Sequence, residues 1–154
     1  MAPDEVIATL GLRPLAVEGG LWAQTWRDEH CTAIYYLLVT PEFSAMHRLA
    51  HTEVYVHHAG APVRMLLLHQ DGSVTRPELG TDLAAGQRPQ VGVAAGVWQG
   101  SRSLGEWSLL GTVVAPPYTD DIVEFGAGDA LAHDYPAHAN EIRALCRDSE
   151  RRRS

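Results

Sequence analysis

From Trp22 onward, short runs of mostly apolar residues alternate with turn signals along the chain. These runs are rich in valine, leucine, isoleucine, tyrosine and tryptophan, which favour strands, and turn residues separate them. The clearest runs are Thr32–Val39, Glu53–His58, Val63–His69, Gln90–Val93 and Ser108–Val114. Because no long helical pattern lies between them, the sequence predicts an antiparallel sandwich or barrel rather than a parallel α/β sheet.

Helical patterns occur near the two ends of the chain. Apolar residues recur at helical spacing after Asp4, a residue suited to an N-cap, so a short helix is predicted over residues 4–10 and ends at Gly11. Pro136–Leu145 carries apolar residues at three-residue steps, which predicts a helix docked on the barrel wall. Gln70–Ser73 contains an Asp-Gly pair and predicts a tight hairpin turn.

Length and charge indicate the number of domains and argue against one class of partner, nucleic acid. A chain of 154 residues is close to the usual size of one domain, and it shows no internal repeat, so we expect a single domain over 1–154. The 19 acidic residues outnumber the 12 basic ones, and the one basic run is Arg151–Arg153. Because nucleic-acid binding requires a clustered positive face, the sequence argues against that function.

The sequence also bears on location. No basic and apolar leader pattern follows Met1, and the apolar stretch Ala33–Val39 is too short to span a bilayer. Cys31 and Cys146 lie far apart and belong to no Cys-x-x-Cys pattern, which predicts unpaired thiols. We therefore expect a cytoplasmic protein without a membrane partner.

The densest group of ionisable residues lies in segment 46–60, which holds four of the eight histidines. Alternate side chains of a strand share a face, so Glu53, Tyr55 and His57 lie together while the two valines between them face the other way. We expect the valines to face the packed side. The three polar side chains would then lie in a cavity or toward solvent.

These residues resemble the motifs of the cupin superfamily. His47, Glu53 and Gly60 stand at the spacings of the first cupin motif, with Leu49 in place of its second histidine. The second motif keeps its glycine but has Gln99 where histidine is usual. Two of the four usual metal ligands of the superfamily are therefore replaced.

The chain as a whole resembles the predicted sugar-epimerase branch of that superfamily. The matching segments are Leu10–Pro14, Glu18–Gly20, Trp22, Trp26–Arg27, Thr32–Leu38, His47–Arg48, Glu53, His58–Gly60, Leu79–Leu83, Gly96–Gln99 and Val114–Pro116. The resemblance implies an all-β cupin jelly-roll barrel with a short N-terminal helix and a C-terminal helix. It also implies epimerase or isomerase chemistry on a keto-sugar or a similar small polar metabolite.

Such an epimerase removes a proton beside a carbonyl and returns one from the opposite face, which needs a base, an enolate stabiliser and an acid. By analogy with the family we assign His47 as the base, Glu53 as its orienting carboxylate and Tyr55 as the acid, with no metal required. The expected substrate-binding residues are Glu18, Arg27, Tyr36, His51, His57, Trp98 and Gln99. We expect Glu18 and Arg27 to form an ion pair or a ligand-binding pair.

Two other functions remain open. In a non-catalytic binding module, His47, Glu53 and Gln99 form a hydrogen-bonded trio in a pocket that holds a metabolite without turning it over. In a metal-dependent enzyme, His51 joins His47 and Glu53 to give two imidazoles and a carboxylate, a set that suits iron, manganese or zinc.

Self-association is a further expectation. The segment Leu21–Arg27 contains two tryptophans and would leave a sheet edge to be covered. Because most homo-oligomers are two-fold symmetric dimers, we expect a homodimer paired through this strand.

Overall fold

The computed structural model describes residues 1–147, in which two β-sheets face each other. The strands are β1 Arg13–Pro14, β2 Leu21–Arg27, β3 Thr32–Val39, β4 Phe43–Leu49, β5 Thr52–Gly60, β6 Val63–Leu68, β7 Val74–Thr75, β8 Glu78–Leu79, β9 Gln90–Val93, β10 Trp98–Ser103, β11 Trp107–Ala115 and β12 Val123–Phe125. The helices are α1 Pro3–Leu10, α2 Gly128–Asp134 and α3 Ala139–Ala144, with 3₁₀ turns at Asp120–Ile122 and Pro136–His138.

The strand order is that of a jelly roll. The first sheet runs β1-β2-β3-β11-β5-β9 and the second β12-β4-β10-β6-β7, with β8 also paired to β6. The order β3-β11-β5-β9 facing β4-β10-β6-β7 has the eight strands of two Greek keys. The predicted all-β jelly-roll barrel is therefore confirmed.

The strand bounds follow the apolar pattern closely where that pattern is strong. Thr32–Val39 and Gln90–Val93 are strands with the predicted bounds. The predicted hairpin turn Gln70–Ser73 connects β6 to β7. Two central strands, β4 and β10, had not been predicted as strands. Their sequences, Phe-Ser-Ala-Met-His-Arg-Leu and Trp-Gln-Gly-Ser-Arg-Ser, place serines and other polar side chains on buried positions, which hides the alternation.

The helices differ in detail from the prediction. Helix α1 begins at Pro3, so Asp4 lies inside its first turn and is not the N-cap; Gly11, at φ 64°, ends the helix as predicted. The predicted helix Pro136–Leu145 is a 3₁₀ turn followed by α3. Helix α2 lies before it, and the apolar pattern did not predict that helix.

Apolar side chains form three layers around the sheets. The central core lies between the sheets, and its buried members are Tyr36, Leu38, Tyr55, Val63, Met65, Leu67, Leu79, Val93, Val97 and Leu110. Ile142 and Leu145 dock on the outer side of the second sheet beside Met46, as the apolar stripe predicted. Helix α1 packs Val6 over the outer side of the first sheet.

The two tryptophans of β2, a strand that β1 covers only at Leu21 and Trp22, face opposite ways. Trp22 faces the interior, while an irregularity in the β2–β3 pairing between Gln24 and Trp26 leaves Trp26 56% exposed. The homodimer through this strand stays a prediction.

Within residues 1–147 no helix has the length and apolar character needed to cross a membrane. The basic run Arg151–Arg153 lies outside the described residues.

Candidate functional site

One end of the barrel interior is left open as a cavity of about 450 Å³. Its walls are mostly apolar, and charged groups lie on its floor and at its mouth. The lining residues are Leu15, Ala16, Val17, Glu18, Trp22, Gln24, Arg27, Thr32, Ile34, His47, Leu49, Glu53, Thr112, Val114, Tyr118, Asp120, Val123 and Phe125. Its size and its few convergent polar groups are typical of small-molecule sites.

An ion pair between His47 and Glu18 lies at the inner side of the cavity. His47 projects inward from β4 and is almost fully buried, and its Nε2 lies 2.8 Å from Glu18 Oε1. Glu18 comes from the loop between β1 and β2, and the Ser44 hydroxyl also donates to Glu18 Oε1 at 3.2 Å. The carboxylate that orients His47 is therefore Glu18, and the assignment of that role to Glu53 is wrong.

The two contacts of the His47 ring fix its charge. Nδ1 donates to the Ala45 carbonyl oxygen at 2.6 Å while Nε2 faces the Glu18 carboxylate, so both ring nitrogens meet acceptors and both carry protons. Burial by itself lowers the pKa of the imidazole, but Glu18 and Glu53 outweigh it and raise the pKa to about 9. His47 is thus an imidazolium at neutral pH, which is the wrong state for the base that the sequence assigned to it.

Glu53 is the second buried carboxylate of the cavity. It projects inward from β5, and its Oε1 accepts a hydrogen bond from Gln99 Nε2 at 3.1 Å. Burial raises the pKa of Glu53, and the charge of His47 and the hydroxyl of Thr112 offset only part of that effect. A carboxyl group with a raised pKa that reaches a cavity is suited to proton transfer.

The side of β5 that faces the barrel interior is the opposite of the one expected. Val54, which was expected on the packed side, is 36% exposed, whereas Glu53 and Tyr55 point between the sheets. The barrel encloses polar groups at this end, so the hydrophobicity of the valines misleads about which face is inside.

Three predicted site residues lie beneath the cavity without lining it. The Tyr55 hydroxyl donates to Gln99 Oε1 at 2.5 Å, and Gln99 in turn donates to Glu53. The Tyr36 hydroxyl donates to the Gly19 carbonyl oxygen at 2.6 Å. Burial raises the pKa of both tyrosines well above its usual value, so they keep their protons. Tyr55 supports Gln99 and is not placed to act as the acid.

Arg27 lines the mouth of the cavity but does not pair with Glu18. Its Nη2 donates to the Tyr118 carbonyl oxygen at 2.9 Å and its Nε to Gln24 Oε1 at 3.0 Å. The predicted Glu18–Arg27 ion pair is wrong because Glu18 turns inward to His47. Both residues nevertheless face the cavity.

His57 and Trp98 lie away from the cavity. A strand rises about 3.3 Å per residue, so His57 is displaced from Glu53 by four residues along β5 toward the other end of the barrel. Its Nε2 faces the Ala61 carbonyl oxygen at 3.1 Å. Trp98 alternates with inward-facing Gln99, so its ring faces outward, beneath the Arg48 guanidinium at 4.5 Å. These two substrate-binding assignments are wrong.

A divalent metal would need His51 beside His47 and Glu53. His51 is not among the described residues that line the cavity, and its Nδ1 faces the Pro116 carbonyl oxygen at 2.9 Å. Both ring nitrogens of His47 already face other oxygen atoms. Within residues 1–147 no group of three or more histidine, cysteine, aspartate or glutamate side chains is arranged to hold a metal ion. The residues present do not fit the metal site that the superfamily implies.

Sequence reasoning missed the polar groups at the mouth of the cavity. Tyr118 and Asp120 come from the segment after β11, and Thr32 and Thr112 come from neighbouring strands of the first sheet. Burial, followed by the charge of Asp120, raises the pKa of Tyr118 to about 12. The sequence offered one signal for these residues, their position in a loop near a strand end, because loops at the mouth of a barrel often carry binding residues.

The comparisons with known proteins agree with this architecture. The family model described as "Cupin superfamily (DUF985)" matches residues 4–126. A crystal structure of a protein from Shewanella oneidensis is 35% identical, with a TM-score of 0.91 over 97% of this chain and 99% of that one. No protein with a curated description matches the chain.

More distant structures share the fold. A hypothetical protein from Leishmania major is 23% identical, with a TM-score of 0.90 over 96% of this chain and 100% of that one. A cupin 2 conserved barrel domain protein from Rhodopseudomonas palustris is 16% identical, with a TM-score of 0.63 over 89% of this chain and 90% of that one.

Proposed function

This chain belongs to the DUF985 family of the cupin superfamily, and we propose that it is an isomerase or epimerase acting on a small neutral carbonyl compound such as a keto-sugar. The observation that supports the proposal is the arrangement of His47, Glu18 and Glu53. A buried imidazolium paired with one carboxylate lies in the same cavity as a second carboxylate of raised pKa.

Glu53 is the proposed base. A carboxylate in water is too weakly basic to remove a proton beside a carbonyl efficiently, and burial moves its pKa toward the working pH. Gln99 holds one oxygen of Glu53, and Tyr55 in turn holds Gln99. The support beneath Glu53 fixes its direction while the carboxylate still lines the cavity.

His47 is the proposed electrostatic partner. Transfer of the substrate's proton to Glu53 leaves that residue neutral and puts negative charge on the carbonyl oxygen of the substrate, and a fixed positive charge in a site of low dielectric stabilises that enolate. The neutral carboxyl group of Glu53 then returns the proton, to the neighbouring carbon in an isomerase or, after the planar enolate has turned over in the site, to the opposite face of the same carbon in an epimerase. The imidazolium lines the cavity, and its protons are held by Ala45 and Glu18 before substrate arrives. Its charge is therefore in place without rearrangement.

The charges of the cavity favour an uncharged substrate. Of the two cationic residues in the lining, His47 is paired with Glu18, and Arg27 is held by a backbone carbonyl and Gln24. Glu53 and Asp120 form no ion pair within residues 1–147. A phosphate or carboxylate at the inner end would meet more negative than positive charge, while the side chains of Trp22 and Phe125 offer apolar contact.

One observation favours a second function, a binding module without turnover. His47, Glu53 and Gln99 all have hydrogen-bond partners inside the protein, so the network is complete with no substrate present. Such a network satisfies buried polar groups whether or not chemistry follows.

Exchange of carbon-bound hydrogen with solvent separates the two functions. Each of a set of keto-sugars is incubated with the protein in D₂O, and loss of the proton beside the carbonyl is followed by NMR. Glu53→Gln should fold, bind the same compound in a thermal-shift assay and slow exchange by about 10²–10⁴-fold, the usual contribution of a general base. Glu78→Gln, a carboxylate paired with Arg64 outside the cavity, is the matched control and should exchange at the wild-type rate.

Full exchange activity in Glu53→Gln would exclude Glu53 as the base. A wild-type protein that binds a compound of this set tightly without exchanging its protons would instead select the binding module. His47→Asn removes the positive charge and should slow exchange while leaving the barrel folded.

A further inference from the structure

The loop that carries Glu18 has positive φ angles on both sides of that residue, at Val17, Gly19 and Gly20. Val17, directly before Glu18, has φ 68°, a left-handed conformation that a β-branched side chain rarely adopts, and it is 43% exposed. Gly19 and Gly20 follow with φ values of 95° and 77°. An exposed loop of this kind keeps one conformation only if the surrounding structure holds it.

Backbone hydrogen bonds hold part of this loop, among them the one from the Ala45 N–H to the Glu18 carbonyl oxygen at 2.8 Å. Arg147, just beyond α3, adds a restraint from outside the barrel. Its Nε donates to the Val17 carbonyl oxygen at 2.8 Å and its Nη2 to the Glu18 carbonyl oxygen at 3.1 Å. Nη2 also reaches the Phe43 carbonyl oxygen at 3.0 Å and Glu42 Oε1 at 2.5 Å. One guanidinium thus joins the loop to the start of β4, the strand that carries His47.

The fit around this guanidinium is close. The Arg147 side chain is 14% exposed, and its guanidinium carbon lies over the Phe43 ring at 4.5 Å. A Cβ atom at Gly19 would overlap Nη2 of Arg147, and one at Gly20 would lie 2.7 Å from the Tyr36 ring. The Glu-Gly-Gly sequence therefore lets the loop lie between Arg147 on one side and Tyr36 on the other.

We propose that Arg147 is a positioning residue for the cavity: it holds the backbone of Val17 and Glu18 so that the Glu18 carboxylate stays on Nε2 of His47. The rigid, planar fork of arginine matches carbonyl acceptors from two segments, which a lysine ammonium cannot reproduce. The consequence for catalysis rests on the proposed function, whereas the consequence for the His47–Glu18 contact does not.

The test is an NMR titration of the His47 side chain in the full, ligand-free chain. The groups facing His47 are Glu18 from the loop, Glu53 from β5, the Ala45 carbonyl on its own strand and the Phe125 ring from β12. Arg147→Met keeps the apolar stem and removes the fork. We expect the pKa of His47 to fall from about 9 toward 6.5 in this variant.

Arg143→Met is the matched control, because Arg143 lies on α3 and pairs only with the exposed Asp129 at 3.3 Å among the contacts described. It should leave the His47 titration unchanged. Arg147→Lys should give a smaller displacement than Arg147→Met, and it serves as the milder substitution if the methionine variant fails to fold.

A double-mutant cycle makes the proposal specific. Glu18→Gln should lower the pKa of His47 directly, and in that background Arg147→Met should add no further change. A His47 titration that is unaltered in folded Arg147→Met, or an equal displacement with and without the Glu18 carboxylate, would overturn the proposal. Because no substrate is present, neither result depends on whether the protein is an isomerase.

Discussion

The two ends of the barrel interior are built on the same strands but filled differently. Along β3, Thr32 and Ile34 line the cavity, whereas Tyr36 and Leu38 farther along the strand are buried in the central core. Along β11, Thr112 lines the cavity and Leu110 is fully buried. One end holds ionisable groups around an open space, and the other is packed with apolar side chains.

A layer of hydrogen-bonded side chains separates the two ends. Tyr55 and Gln99 bond to each other beneath Glu53, and Tyr36 bonds to the backbone of the Glu18 loop. Burying ionisable groups at the open end is unfavourable unless they are paired, and packing at the closed end supplies the compensating stability. The comparison indicates that the closely packed core and the candidate site occupy different ends of the same barrel interior.

Two leucines, one at each end, test this division most strongly. Leu110→Ala should lower the free energy of unfolding by about 2–5 kcal/mol, because it leaves a void in a closed core. Leu49→Ala, which only enlarges an existing cavity, should cost about 2 kcal/mol, the lost transfer free energy of the removed carbon atoms without a new void. Urea denaturation measures both; equal losses would contradict the division.

The charge of the open end should make stability depend on pH. Against the lowering effect of burial, the carboxylates of Glu18 and Glu53 raise the pKa of His47 from 6.5 to about 9. The native state therefore holds this proton more tightly than the unfolded chain, and the stabilisation is complete below pH 6.5 and lost as pH rises through 9. The difference corresponds to roughly 3 kcal/mol.

Urea denaturation at several pH values between 6.5 and 9 checks that sign. The wild-type protein should lose stability across this window, and His47→Gln should lose most of the slope. A wild-type profile as flat as that of the variant would show that the imidazolium is not stabilised in the fold.

The separating layer should give the smallest effect. Tyr55→Phe leaves the buried Gln99 carbonyl without its donor, which should cost about 1–3 kcal/mol of unfolding free energy. Tyr118→Phe removes the hydroxyl of a half-buried tyrosine at the mouth of the cavity and is the matched control. Its free energy of unfolding should change by no more than about 0.5 kcal/mol. If both variants are equally stable, Tyr55 and Gln99 do not form a supporting layer.

The fold was predictable wherever the apolar pattern was local and strong. Strands β3 and β9 have the predicted bounds, because β3 is an unbroken run rich in strand-forming residues, β9 alternates valine with Gln90 and Gly92, and turn residues bound both. Strands β4 and β10 were hidden, since their inward positions carry Ser44, His47, Gln99 and other polar groups. A polar interior removes the signal that sequence reasoning depends on.

The candidate site was predictable in its members more than in their roles. Of the ten predicted site residues, Glu18, Arg27, His47 and Glu53 line the cavity. The other six do not line it: Tyr36, His51, Tyr55, His57, Trp98 and Gln99. The pairing of the four lining residues was not predictable, because hydrogen bonds between a loop and a strand depend on how the sheets pack. Asp120 at the mouth carried no recognisable pattern, since a loop after the last long strand has no periodicity.

The sequence pattern by itself determined an antiparallel β-sandwich or barrel and showed that Glu53 and Tyr55 share one face of β5, because alternation along a strand is a local property of its residues. Which of the two faces of β5 lies inside was decided by the packing of the sheets. Only the tertiary structure decided that His47 meets Glu18 and not Glu53, and that its imidazole is consequently charged. It also brought Arg147 onto the loop of Val17, 130 residues earlier in the chain. Charge state depends on burial and on partners distant in sequence, and those are fixed only when the two sheets and the C-terminal segment close around the cavity.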